Sequence, residues 1–134
     1  MQRKQLDQLI SQLEHHLECW KQFNNYAGLA RSKKFEHEDE NQFLEIKSVI
    51  AQELEMIFHS IEVQSPTKED VHALLSTASS VRALSEMNEQ AVRNMENQWH
   101  KIYIAWQSIL GQLKVKQREL ESQSTWSKFF GRNK

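Results

Sequence analysis

The sequence predicts an all-α protein, an antiparallel helical bundle of four helices, and three observations predict it. Gly occurs 3 times and Pro once in 134 residues, whereas β architectures need many more turn-forming residues. Gln and Glu are abundant while Val and Thr are sparse, which favours helices over strands. Apolar residues also recur at three- and four-residue spacing, as they do on the buried face of an amphipathic helix.

The first two predicted helices form a long hairpin. One runs from about Arg3 to Arg31 and the other from about Glu36 to Val63, so each is about 40 Å long. Basic residues end the first helix and acidic residues begin the second, which opposes the helix dipole at both places. The short turn between them predicts antiparallel packing. The two apolar stripes contain Leu6, Leu9, Ile10, Leu13, Leu17, Trp20, Phe23 and Ala27, and then Phe43, Ile46, Ile50, Leu54, Ile57, Phe58 and Ile61.

A short third helix is predicted to begin at Pro66, because proline suits the first helical position and Ser65 can cap the helix. The poor helix formers that follow predict a break from about Ser79 to Met87. One uninterrupted helix from Pro66 to Glu121 is an alternative that the apolar spacing leaves open. The apolar residues of the third helix are Val71, Leu74, Leu75 and Ala78.

The fourth predicted helix is the most hydrophobic and runs from about Asn88 to Ser122, roughly 50 Å. Its stripe contains Val92, Met95, Trp99, Ile102, Tyr103, Trp106, Ile109, Leu110 and Leu113. The bundle is predicted to occupy residues 1–123, and a basic and aromatic tail residues 124–134.

In that tail, Trp126, Phe129 and Phe130 share one helical face. Such a segment can rest on a membrane surface or in a groove of a partner. The favoured prediction is that its aromatic residues pack against its own bundle or a twin subunit, since exposed aromatic clusters are uncommon.

Composition excludes several classes of function. The net charge is −1, so a nucleic-acid partner is not expected. Cys19 is the only cysteine, which excludes an intramolecular disulfide and suits a reducing compartment. There is neither a signal-peptide pattern nor an apolar stretch near the ~18 residues of a membrane span. The sequence therefore predicts a cytoplasmic protein without a transmembrane segment.

His15 and Cys19 are one helical turn apart and form half of a zinc-binding pattern. They are predicted to lie on a polar flank of the first helix, and His16 at the boundary of its apolar stripe. The other half of the site would have to come from His59, His72 or His100 on other helices. The sequence therefore predicts no metal site and no cofactor.

Six residues separate Arg93 from His100, and the pair resembles the Arg-x(4–6)-His motif of HEPN ribonucleases, which are small all-α bundles. The resemblance covers only these positions, and it implies that both side chains act at the RNA phosphate without a metal. A second match, from Arg31 to His37, falls in a predicted surface turn. The alternative is a solvated polar network of Arg93, Glu96 and His100 on one helical face. The protein is predicted not to be an enzyme.

The same helix places Arg93, His100, Ile104 and Gly111 along one line away from its main stripe. A glycine inside a helix costs about 1 kcal/mol relative to alanine, and such a glycine often marks a close approach of backbones. Ile104 would be exposed unless something covers it. A second contact surface is therefore predicted, covered by another bundle helix or by a partner subunit. The alternative is that the helix simply tolerates one glycine and one exposed isoleucine.

These features predict a helical scaffold or protein-interaction module, with a second copy of the chain or another helical protein as its partner. The candidate interaction residues are those of this line together with the tail aromatics Trp126, Phe129 and Phe130. In fold, the predicted bundle resembles small bacterial export-chaperone and adaptor bundles with long helical hairpins.

Overall fold

The computed structural model describes the backbone of residues 2–131 and the side chains of residues 2–124. This part of the chain contains five helices and no strand, which confirms the all-α class. The helices are α1 (Arg3–Ser32), α2 (His37–Ser60), α3 (Lys68–Thr77), α4 (Val81–Ser85) and α5 (Glu89–Gly131). Within the described residues, none of them is both long and apolar enough to cross a membrane.

The turn between α1 and α2 lies where the sequence predicts it. Lys33 ends α1 with a φ of 57°, in the left-handed region, and its N–H donates to the carbonyl of Ala30 at 3.1 Å. Glu36 precedes α2, and its N–H donates to the Asp39 carboxylate at 2.8 Å. Acidic residues fill the first turn of α2, where they stabilise the positive end of the helix dipole. The predicted hairpin is confirmed, although α2 ends at Ser60 rather than Val63.

The predicted start of the third helix is wrong. Thr67, not Ser65, caps α3, because its hydroxyl accepts a hydrogen bond from the N–H of Asp70 at 3.1 Å. Pro66 therefore lies before the helix and not at its first position. The acidic residues Glu69 and Asp70 still lie in the first turn, as the helix dipole favours.

The predicted break between the third and fourth helices contains a further short helix, α4, so the bundle has five helices in the described residues rather than four. The Ser80 hydroxyl accepts from the N–H of Ala83 at 2.9 Å. The carboxylate of Glu40 on α2 accepts from the N–H groups of Val81 and Arg82, at 3.1 and 2.6 Å. Because the chain leaves helical geometry between α3 and α4, the alternative of one uninterrupted helix is wrong.

Replacement of Glu40 by alanine is expected to lower the free energy of unfolding by about 2 kcal/mol, because hydrogen bonds to a charged group contribute about 1.5–3 kcal/mol. Chemical denaturation measures the change. Glu45→Ala is the matched control, since Glu45 is exposed on the same helix. Equal unfolding midpoints for the two variants would show that Glu40 does not hold α4.

α5 lies antiparallel to α1. Near the start of α1, Gln117 donates to the Asp7 carboxylate at 2.7 Å, and Arg3 pairs with Glu121 at 3.4 Å. Further along, the indole N–H of Trp99 donates to the backbone carbonyl of Trp20 at 2.9 Å. The largest buried side chains include Trp20, Phe23, Phe43, Ile50, Leu54, Leu74 and Trp106. The core therefore lies between α1, α2 and α5, and α3 and α4 close it.

The C-terminal helix is longer than predicted, since its backbone continues to Gly131 rather than ending at Ser122. It extends nine residues past the predicted end, about 14 Å at 1.5 Å per residue. The predicted boundary between bundle and tail, at residues 123 and 124, falls within this helix. The side chains of Trp126, Phe129 and Phe130 lie outside the described residues, so the predictions about them stay predictions.

Candidate functional site

Three side chains that bind metals in other proteins converge between α1 and α2. His15 and Cys19 lie one turn apart on α1, and Glu53 reaches them from α2. One ligand atom from each residue lies within 4.8 Å of the other two. Cys19 Sγ is 3.9 Å from His15 Nδ1, and the same nitrogen hydrogen-bonds Glu53 Oε2. The antiparallel hairpin produces this cluster, because it sets the second half of α2 beside the middle of α1.

A buried hydrogen-bond chain holds the Glu53 carboxylate in place. The indole N–H of Trp20 donates to His16 Nε2 at 3.1 Å, and His16 Nδ1 lies 3.1 Å from Glu53 Oε1. Because Nε2 accepts a hydrogen bond, the ring proton must be on Nδ1, which donates a hydrogen bond to the carboxylate. Both ring nitrogens are thereby used, and His16 is fully buried. His16 therefore orients Glu53.

The sequence predicts Cys19 on a polar flank of the first helix and His16 at the boundary of its apolar stripe. Both predictions are wrong. Both residues are buried, because α1 contacts α2, α4 and α5 and so buries a wider face than one stripe. The partner of His15 and Cys19 is Glu53, and none of the histidines proposed for that place belongs to the cluster. One signal in the sequence pointed to Glu53, which lies between Ile50 and Ile57 at the three- and four-residue spacing of the buried stripe.

The electrostatics of the cluster favour an ionised carboxylate beside a protonated thiol. Burial raises the pKa of Cys19 to about 11, and the negative charges of Glu53 and Glu18 add to that effect. Burial alone would also raise the pKa of Glu53, but hydrogen bonds from His16 and His15 outweigh it and leave that pKa below its usual value. At neutral pH the thiol is therefore a weak nucleophile that lies beside an ionised carboxylate.

The cluster opens to solvent on one side. His15 and Cys19 line a groove of about 800 Å³ between α1 and α2, and Tyr26 and Gln42, which hydrogen-bond to each other, lie further along it. The His15 side chain is 62% exposed, whereas that of Glu53 is 20% exposed. Small ligands and ions can therefore approach the cluster from the side of His15 and Cys19.

The residues of the ribonuclease-like motif have separate neighbours. Arg93 is exposed and pairs with Glu89, one turn earlier on α5, at 3.5 Å. His100 lines a groove between α1 and α5 together with Arg31 and Glu96. Glu96 pairs with Arg31 of α1, so the polar network predicted within one helix instead joins two helices.

A second feature is an exposed row on α5, which we call the outer row: Ile104, Ser108, Gly111 and Val115. The side chains of Ile104 and Val115 are 49% and 53% exposed. Apart from the adjacent residues and local backbone of α5, no atom of the described residues lies within 4 Å of the position that a Cβ on Gly111 would take. The prediction that another bundle helix covers this surface is therefore wrong, and coverage by a partner subunit stays a prediction. Sequence reasoning missed Val115, although its four-residue spacing from Gly111 was visible.

Comparison with known proteins adds no assignment to these features. No family model, no curated protein and no solved structure matches the chain. Function must therefore be inferred from the geometry of the metal-ligand cluster and of the outer row.

Proposed function

We propose that the protein is a non-enzymatic helical scaffold that acts in the cytoplasm and binds a protein partner along α5, the partner being a second copy of the chain. The outer row carries this proposal. It is apolar at both ends and small in the middle, and it lies on a helix whose other face places Ile102 and Trp106 in the core. Exposed apolar side chains on one line support an interface, since burying them would remove apolar surface from water.

The row is complementary to itself in an antiparallel arrangement. If two copies of α5 cross between Ser108 and Gly111, Ile104 lies opposite Val115 of the second copy, and Ser108 lies opposite Gly111. A two-fold axis repeats each contact. The two small residues at the crossing point let the helices approach to the short end of the usual 8–10 Å interaxial range.

Charged residues flank the row and give the proposed dimer a specific salt dependence. Lys101 precedes the row and Arg118 follows it, so in this register each lies opposite the other in the second copy. Like charges repel, and salt screens exposed charges over about 10 Å at 0.1 M. The dimer is therefore expected to become more stable as salt is added, which is opposite to association driven by attraction between charges.

The test is the molar mass in solution as a function of protein concentration. The molar mass of the wild-type protein is expected to rise from 15.9 kDa towards twice that value. Ile104→Asp or Val115→Asp should weaken dimerisation by at least about 100-fold, because each substitution buries one carboxylate from each of the two subunits. Leu44→Asp and Met56→Asp are matched controls, because these α2 side chains are 47% and 53% exposed. A wild-type mass of 15.9 kDa at every concentration would refute self-association, and equal weakening by the controls would move the interface away from α5.

A further inference from the structure

The cluster of His15, Cys19 and Glu53 has a chemistry that the proposed scaffold role does not use. We propose that these three side chains bind one Zn²⁺ ion, with a water molecule from the groove as the fourth ligand. The site lies within a single chain, so it does not depend on self-association.

The ligand atoms fit this ion in type and in spacing. Zn²⁺ binds imidazole nitrogen, thiolate sulfur and carboxylate oxygen at about 2.0–2.3 Å in tetrahedral sites. Tetrahedral ligands at these distances are roughly 3.3–3.8 Å apart. Cys19 Sγ and His15 Nδ1 are 3.9 Å apart, and the whole set lies within 4.8 Å. Zinc would enter by replacing the hydrogen bond between His15 and Glu53, with small rotations of the side chains. Nδ1 of His15 would then bind the metal unprotonated, and the ring proton would be on Nε2.

The surroundings of Glu53 support a metal ligand rather than an incidental surface contact. Metal-binding carboxylates are usually held by further hydrogen bonds, which orient them and fix their charge. Here His16 and Trp20, both fully buried, form a chain that ends on the Glu53 oxygen that does not contact His15. The chain leaves the other oxygen directed at His15 and available to an ion.

The charge of the ion also suits these ligands. The Glu53 carboxylate and the Cys19 sulfur lie within the same 4.8 Å cluster, so one divalent cation can bind both. Metal ligation stabilises a cysteine as its thiolate, and the displaced thiol proton passes to solvent.

The fourth coordination position faces the groove. Catalytic zinc sites combine three protein ligands with water, whereas structural sites use four protein ligands. Within the described residues the cluster contains three ligand side chains. The proposed site is therefore of the open type, and it would accept a small anion or a thiol in place of water.

The test is titration of the metal-free, untagged full chain with ZnCl₂ by calorimetry, and with Co²⁺ as a spectroscopic substitute for zinc. We expect one Zn²⁺ per chain and a thiolate-to-cobalt charge-transfer band. Cys19→Ser and His15→Ala should each lower the affinity by more than the roughly 10- to 100-fold typical of changes around a metal site. Cys19 is buried, so Cys19→Ser could lower the affinity by misfolding. His15→Ala avoids this ambiguity, because the His15 side chain is mostly exposed.

His59→Ala and His72→Ala are the matched controls, since both histidines are exposed on helices of the same bundle. Full affinity in these controls, together with the losses at His15 and Cys19, supports the site. Zinc binding that is equally strong in the His15 and Cys19 variants would overturn the proposal. A cobalt complex without the thiolate band, or no zinc binding by the wild-type chain, would do the same.

Discussion

Replacement of Trp106 by alanine is expected to lower the free energy of unfolding by about 3–5 kcal/mol, the usual range for removing a buried large aromatic side chain. Trp106 is fully buried. Its ring packs edge-on against His16 and Phe58, with ring centroids 5.2 and 6.1 Å away. The cavity left by alanine would lie at the contact between α1, α2 and α5. Urea denaturation of the two proteins measures the difference.

Trp106→Phe is the control that separates volume from hydrogen bonding. The indole N–H of Trp106 is buried and has no acceptor among the described residues, and an unmet buried donor costs about 1–3 kcal/mol. Phenylalanine removes that donor and keeps most of the apolar ring. We therefore expect Trp106→Phe to lie within about 1.5 kcal/mol of the wild type, since the two effects oppose each other. A loss as large as that of alanine would show that the indole N–H has a partner.

Replacement of His16 by leucine is expected to lower the free energy of unfolding by about 2–4 kcal/mol. Leucine leaves the Trp20 N–H without its acceptor and removes a hydrogen bond from Glu53, and each loss costs about 1–3 kcal/mol in a buried place. The same change should weaken zinc binding by roughly 10- to 100-fold, because Glu53 is no longer oriented. Thermal or chemical unfolding without metal measures the first effect, and zinc titration the second.

His15→Ala is the control for His16→Leu, and the opposite pattern is expected for it. Its exposed side chain contributes little to the stability of the metal-free protein, but it is a proposed ligand. We expect nearly unchanged unfolding without metal and no stabilisation by added zinc, whereas zinc at about 100 times its dissociation constant should stabilise the wild type by about 2.7 kcal/mol. If His16→Leu left metal-free stability unchanged, the buried hydrogen-bond chain would have no structural role.

Sequence patterns predicted the long helices because the signals for them are local. The acidic first turn of α2 and the regular apolar stripes of α1, α2 and α5 each act within a few residues, and the structure confirms these helices. α4 could not be predicted this way. Five residues are too few to form a stable helix in water, and the Glu40 carboxylate that caps α4 comes from a residue 41 positions earlier in the chain.

The candidate metal site was half visible in the sequence for the same reason. The spacing of His15 and Cys19 is a pattern within one helix, whereas Glu53 depends on the register between α1 and α2, which no local pattern encodes. The burial of His16 was missed because a single stripe underestimates how much of α1 is covered when three helices pack on it. On α5, Ile104 and Gly111 could be identified from spacing, but that spacing does not encode what any partner would be.

The capping of α4 by Glu40 also affects how the molecule opens in its native state. Residues 61–88 hold only the two shortest helices, which depend on contacts with the long ones, including the Glu40 bonds and the burial of Val71 and Leu84. Backbone amides there should exchange with deuterium through local opening, at a lower free energy than those in the middle of α1. Since α1, α2 and α5 can stay packed during such openings, this stretch would transiently expose one side of the core while the rest of the fold persists.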